Sequence, residues 1–346
     1  MSLIALLLAS LVLPGDAPPI DDEGLLMQEV FIEAVDRAAP SVVMIESFGA
    51  IGKVPDPIPQ RRGVNPIRHQ GLSPGTGPTT GVILTEDGEI LTSSFAFPTD
   101  PAAIIVTLAD GKRHTATLVA RDFSRGIALL KIEATGLPAA RFAAKGSVRV
   151  GQWALALGRS FAGDRPAPQM GIVSALDRIS GRAIQTDAPT SPANYGGPLI
   201  DIEGAVLGII VPLSPRGEEA AISTYDSGIG FAVPRWDIER VLDRLRGGDD
   251  LHPGFLGVEF DAPRTMGGLD VKRVLPGTSA EGAGIEENDK ILRVGGRPVR
   301  TSFELQREIG RGIAGDVITL LIRRGDEEME IQALLGKRPK KEPESD

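Results

Sequence analysis

The feature that most constrains this chain is its punctuation. Between about Ser41 and Val211, short apolar runs alternate with glycine-bearing turns. Val82-Ile83-Leu84 and Ile90-Leu91-Thr92 flank Glu86-Asp87-Gly88, and Ile104–Leu108 and Thr115–Val119 flank Asp110-Gly111. An Asp-Gly pair between two apolar runs is a hairpin signal, because the glycine supplies the positive φ that a tight two-strand turn needs. Ile127–Ile132, Trp153–Leu157, Gly171–Leu176 and Val206–Val211 continue the series. Many short strands in succession, with no long helical period between them, predict an all-β unit of the barrel or sandwich kind. The composition supplies the turns, with 42 Gly and 27 Pro in 346 residues. It also closes off some chemistry. With no cysteine there is no disulfide, no thiolate metal site and no cysteine nucleophile. A net charge of −9 argues against a nucleic-acid-binding surface.

Helical patterns bracket the β region. Gly24–Ala39 carries Leu26, Val30, Phe31 and Val35 at helical spacing, and Pro234–Leu245 carries Ile238, Val241 and Leu245, with proline at its first position and Gly247-Gly248 after it. A second unit follows: strands Leu256–Phe260, Asp270–Val274, Lys290–Val294, Val317–Arg323 and Glu328–Leu335, a short helix near Ser279, and a helix over Ser302–Ile309. The tail 337–346 is charged and proline-rich, and is predicted to be disordered. At the other end, Leu3–Leu13 is an apolar run too short to span a bilayer as a helix, and it has the form of an export signal. The expected division is an export segment over 1–20, a β domain over 21–248, a second domain over 249–336, and the tail.

Several motifs, in order, resemble one family. Gln185-Thr186-Asp187-Ala188 followed by Gly196-Gly197-Pro198-Leu199 is similar to the nucleophile loop of HtrA/DegP-type, trypsin-like serine proteases. Gly171–Ala175, Asp201–Gly208 and Gly228–Pro234 stand where that family has its neighbouring motifs. Phe255-Leu256-Gly257-Val258, Pro276–Ala280 and Asp289–Leu292 resemble its PDZ domain. The resemblance implies an all-β double β-barrel of the chymotrypsin type followed by an α+β PDZ domain.

The same resemblance exposes what is absent. The family's nucleophile motif is Gly-Asn-Ser-Gly-Gly-Pro; here it reads Ala193-Asn194-Tyr195-Gly196-Gly197-Pro198. The histidine position after Leu91-Thr92-Ser93-Ser94 is Phe95, and the aspartate position before Ile127-Ala128-Leu129 is Gly126. Acyl transfer by such a triad needs a nucleophile, a base and a group that orients the base. Phe95 exchanges no proton, Gly126 orients nothing, and a phenol with an ordinary pKa of about 10 is a poor nucleophile without a base. Ala193 stands where the family has glycine, which bears on the oxyanion loop if that position requires positive φ. His69, His114 and His252 are the only histidines, and all lie away from the motif. Asp122 reads as a turn residue. No catalytic residue is therefore expected at Phe95, Gly126, Tyr195, Ala193 or Asn194. Tyr195 is expected to plug the former cleft, packing on neighbours such as Phe95.

The peptide-binding parts look better kept. By resemblance, Phe255, Leu256, Gly257 and Val258 form a carboxylate-binding loop, Glu259 and Phe260 continue a strand that a peptide joins, and Leu305 and Ile309 on the following helix line an apolar pocket or belong to the core. These features predict a pseudoprotease that binds unfolded polypeptides or protein C-termini as scaffold, chaperone or partner of an active relative, without cofactor or metal. A homo-trimer or hetero-oligomer is implied by the family, and the export segment suggests a periplasmic or cell-envelope location. Two alternatives stand beside this reading: a serine endopeptidase with a displaced triad, and a structural oligomer with no peptide ligand.

Overall fold

The computed structural model describes residues 22–51, 78–160, 165–213, 227–260 and 268–339. His69, the apolar run at Leu3–Leu13 and the end of the tail lie outside the described residues. The N-terminal helix α1 (Asp22–Ala38) ends where Pro40 forces a short 3-10 turn into the first strand. Strands β1 (Val42–Ile51), β2 (Thr79–Ile83), β3 (Glu89–Ser93), β4 (Asp100–Thr107), β5 (Arg113–Asp122) and β6 (Ile127–Ile132) close into one barrel, in the order β1-β2-β3-β6-β5-β4. A second barrel closes from β7 (Trp153–Gly158), β8 (Ala167–Asp177), β9 (Ala183–Thr186), β10 (Pro198–Ile200), β11 (Val206–Val211) and β12 (Gly230–Val233). Both predicted hairpins form, with Val82 opposite Leu91 and Ile105 opposite Thr115. The β8–β9 connection, α2 (Arg178–Gly181), is a turn in which Ile179 and Ser180 take φ of 49° and 62°. A β-branched residue rarely adopts that conformation.

Closure matters because it removes the exposed strand edges that would otherwise invite aggregation. It also allows each barrel to fill with side chains: Ile45, Ile90, Val106 and Leu130 in the first, Ile184, Leu199, Leu207 and Ile210 in the second. A third cluster lies between the barrels and helix α3 (Arg235–Arg246), where Leu91, Leu157, Val211 and Leu245 meet. Pro234 is the residue before α3, its cap position, rather than the first helical residue expected from the pattern.

The C-terminal unit has β13 (Val258–Phe260), β14 (Leu269–Val274), β15 (Lys290–Val294), β16 (Arg297–Pro298), β17 (Val317–Arg324) and β18 (Glu327–Leu334), with main order β13-β14-β15-β17-β18. Helices α4 (Ser279–Gly282) and α5 (Ser302–Ile309) accompany the sheet. The first strand is shorter than expected. Leu256 and Gly257 precede it, because Gly257 takes φ of +88°, which ends extended pairing there. No helix among the described residues is long and apolar enough to cross a membrane.

Candidate functional site

Phe95, Gly126 and Tyr195 come from three separate elements and meet between the barrels. Phe95 sits on a 3-10 turn directly after β3, and its N–H donates to the Ser93 hydroxyl at 3.2 Å. Gly126 is the residue before β6. Its carbonyl oxygen accepts the Ser94 N–H at 2.9 Å and the Ser93 hydroxyl at 3.1 Å, which ties it to the turn that carries Phe95. Tyr195 lies between β9 and β10 and is only 2% exposed. Its ring meets that of Phe95 edge to face, with centroids 5.4 Å apart and an interplanar angle of 71°. Such a pair favours that geometry because the positive ring edge points at the negative face. Ala154, Leu199 and Ile210 belong to the same buried cluster, so the tyrosine is part of the second barrel's core.

The loop before Tyr195 is folded inward. The N–H groups of Asn194 and Tyr195 both donate to the carbonyl oxygen of Ser191, at 3.0 and 3.1 Å. The Asn194 side chain is also spent locally: its carbonyl oxygen accepts the Ser191 N–H and its amide donates to the Pro189 oxygen. The Ala193 carbonyl oxygen accepts hydroxyls from Ser160 at 2.7 Å and Thr80 at 3.2 Å. Ala193 is absent from the residues with positive φ, so it avoids the conformation that would strain it. An oxyanion hole needs N–H donors aimed into open space at the position of the developing charge. Here the Tyr195 N–H is aimed back into its own turn.

Behind Gly126 lies a charge cluster that the sequence did not reveal. Arg125 is 1% exposed and pairs with Asp122 at 2.8 Å and with Asp237 of α3 at 2.7 Å. Burial opposes its charge, but the two carboxylates outweigh burial and raise its pKa above the ordinary value. Asp122, expected in a turn, is instead the last residue of β5, paired with Ile127, and its carboxylate accepts the Ser124 N–H and hydroxyl of the turn that follows. Nearby Arg182 is pulled down from 12.5 to about 10, by burial first and by the Arg125 charge second. No short motif connects Arg125 with Asp237, which are far apart in sequence; only the fold brings them together.

In the C-terminal unit, β13 is paired with β14 on one side only among the described residues. The Leu275 N–H donates to the Gly257 oxygen, so strand alternation turns the Val258 N–H toward the open edge. The Leu256 and Gly257 N–H groups make no hydrogen bond among the described residues. Phe255 carries the Arg338 guanidinium over its ring, 5.3 Å from the centroid. Glu259 is exposed, and Val258 and Phe260 are half-buried. Leu305 and Ile309 are 1% and 8% exposed and lie in the core of this unit, so packing is their first role, and Leu305 lines no open surface.

Comparison with known proteins agrees with this architecture. Residues 79–209 match the trypsin-like peptidase domain and residues 254–335 match the PDZ domain. HhoA of Synechocystis sp. is 31% identical, over 88% of this chain and 84% of that protein. A Chlamydia pneumoniae protein named "Probable periplasmic serine endoprotease DegP-like" is 29% identical, over 92% of this chain and 72% of that protein. Among solved structures, the serine endoprotease from Yersinia pestis superposes with a TM-score of 0.65 at 28% identity, covering 89% of this chain and 98% of that one. The HtrA-type protease AlgW with a tripeptide gives a TM-score of 0.67 at 26% identity, covering 90% of this chain and 98% of that one. Two closed barrels followed by a smaller, β-rich module define the class, a trypsin-like protease fold joined to a PDZ domain. The chain belongs to the HtrA-type family of such proteins.

Proposed function

We propose that this chain is a catalytically silent HtrA-type protein that works by binding polypeptide through its PDZ domain. The observation that carries the proposal is the junction of the barrels, where Phe95 packs edge to face with Tyr195 on a turn hydrogen-bonded to Gly126. Phe95 and Gly126 offer neither a base nor an orienting carboxylate, and among the described residues His114 and His252 lie on β5 and in the interdomain linker. The core burial of Tyr195 supports a plug, and the inward turn of its N–H supports the loss of anion stabilisation as well.

The peptide would add as a strand to the open edge of β13, with its C-terminal carboxylate on the N–H groups of Leu256, Gly257 and Val258. Phe255 and Phe260 would flank it, Glu259 would face its exposed side, and Ile309, with Leu305 behind it, would floor the pocket. The domain division near 248/249, a homo-oligomer or an assembly with an active relative, and export to the periplasm belong to the same proposal. The relatives' names support the last point.

The test is digestion of casein by the purified chain beside an active HtrA-type protease, read by mass spectrometry, with C-terminal peptides titrated by fluorescence anisotropy. No cleavage above a buffer blank, together with saturable peptide binding, is the expected result. Turnover lost in Tyr195→Phe overturns the silent-site reading, and absence of binding by any C-terminal peptide overturns the PDZ reading.

A further inference from the structure

The segment joining the two units is built into both of them. Leu251 is 1% exposed and belongs to the buried cluster between the barrels and α3. It forms a parallel bridge with Asp122, donating its N–H to the Arg121 oxygen at 2.8 Å and accepting the Phe123 N–H at 2.9 Å. The neighbouring Asp250 carboxylate accepts the Arg121 N–H at 2.8 Å and pairs with its guanidinium at 3.2 Å. His252 stacks on Phe123, with centroids 4.9 Å apart and planes 18° from parallel. On its other side the same segment binds the stretch that follows α5: the Ala314 N–H donates to the His252 oxygen at 2.9 Å, and Pro253 bridges Ile313. Ile313, a PDZ residue, is 4% exposed and counts among the barrel-side cluster.

An ordinary interdomain linker is exposed, has few contacts crossing it, and leaves its domains free to move. This one has a buried leucine, a strand bridge on each side and an ion pair. We infer that Asp250–Pro253 is a strap that locks the PDZ domain to the barrels as one body, so that its peptide edge is presented at a fixed orientation and does not swing. The strap joins the chain three residues before Gly126 and, on the PDZ side, directly behind α5. The inference does not depend on whether the barrels are catalytically silent.

Hydrogen exchange of the full chain tests it. The N–H groups of Leu251, Phe123 and Ala314 exist as hydrogen bonds only while the strap is seated. In the wild type they should exchange at least about a hundredfold more slowly than unstructured amides, as a cooperative unit. In Leu251→Ser all three should quicken together by about tenfold or more, while Leu129 and Leu320, central in each unit, keep their rates. If Leu251→Ser perturbs those reference amides, Phe123→Ala, which removes the stack and the Arg121 contact with the same half-exposed ring, should give the same joint acceleration at a smaller size. Near-unstructured exchange of the three amides in the wild type overturns the inference. So does an Ala314 amide that stays slow when Leu251 and Phe123 have become fast.

Discussion

The junction of the barrels and the edge of the PDZ sheet descend from the two working parts of one family, and their backbones differ in one telling way. At the junction the polar groups are satisfied internally: the Tyr195 N–H by Ser191, the Ala193 oxygen by Ser160 and Thr80, the Gly126 oxygen by Ser93 and Ser94. At the PDZ edge the N–H groups of Leu256 and Gly257 make no hydrogen bond among the described residues, and that of Val258 points outward. Folded proteins rarely leave such groups without a partner. The proposed function requires this difference: donors left open where a ligand would bind, and donors closed over where catalysis would be lost.

The contrast breaks most visibly at the charge cluster behind Gly126. If the junction is now purely architectural, Asp237 matters as a structural partner of Arg125. Asp237→Ala leaves a buried guanidinium with one of its two carboxylates gone, and removing one member of a buried pair costs about 3–5 kcal/mol. Guanidinium-chloride unfolding should show that loss. A loss below about 1 kcal/mol, the size typical of an exposed pair, would mean that water reaches the cluster and that the junction is more open than its burial indicates.

Next in size is the oxyanion loop. Restoring the triad with Phe95→His, Gly126→Asp and Tyr195→Ser should still leave casein turnover about a hundredfold or more below an active relative, the usual effect of losing one oxyanion donor. Adding Ala193→Gly should recover part of that deficit, because glycine can take the positive φ that alanine resists. Full activity from the triple variant alone would show that the loop turns outward unaided, and that the side chains were the whole difference between the two regions.

On the PDZ side the sharper probe is Gly257→Val. A Cβ there would fall 2.3 Å from the Cβ of Thr278, at a φ of +88°. The loop must shift, and peptide affinity should fall by at least about tenfold, or 1.4 kcal/mol. Barrel unfolding should be unchanged, since the residue touches only its own unit. Retained affinity would move the carboxylate site away from this loop.

How much of this was legible in the sequence depends on range. Hairpins read well because their turn chemistry is local: Glu86-Asp87-Gly88 and Asp110-Gly111 each place two strands. The helix Ser302–Ile309 read well because Thr301 caps it, accepting the Glu304 N–H, and Gly310 follows it. The short strands β9, β10 and β12 did not stand out as strands, because three or four residues, all but Gln185 buried, carry no alternation. Phe95, Gly126 and Tyr195 were found only through resemblance, since a phenylalanine, a glycine and a tyrosine carry no chemical signature of their own. Arg125, Asp237 and the strap were invisible, because their partners lie across the fold.

The smallest predicted effect ties the strap to acidity. The His252 pKa is lowered from its ordinary 6.5, by burial first and the Lys337 charge second, while Asp250 and Asp122 pull the other way. A lowered pKa means that the seated strap binds the proton less well than the released one. Seating is therefore unopposed above about pH 6.5 and is progressively weakened as the pH falls through the lower seated value. Exchange at the Leu251, Phe123 and Ala314 amides, corrected for the intrinsic pH dependence, should quicken severalfold between about pH 7 and 5.5. In His252→Gln, which keeps a polar side chain but no titrating ring, that change should vanish. The same acid response in His252→Gln would show that the imidazole does not carry it, and would break the link between the strap and acidity.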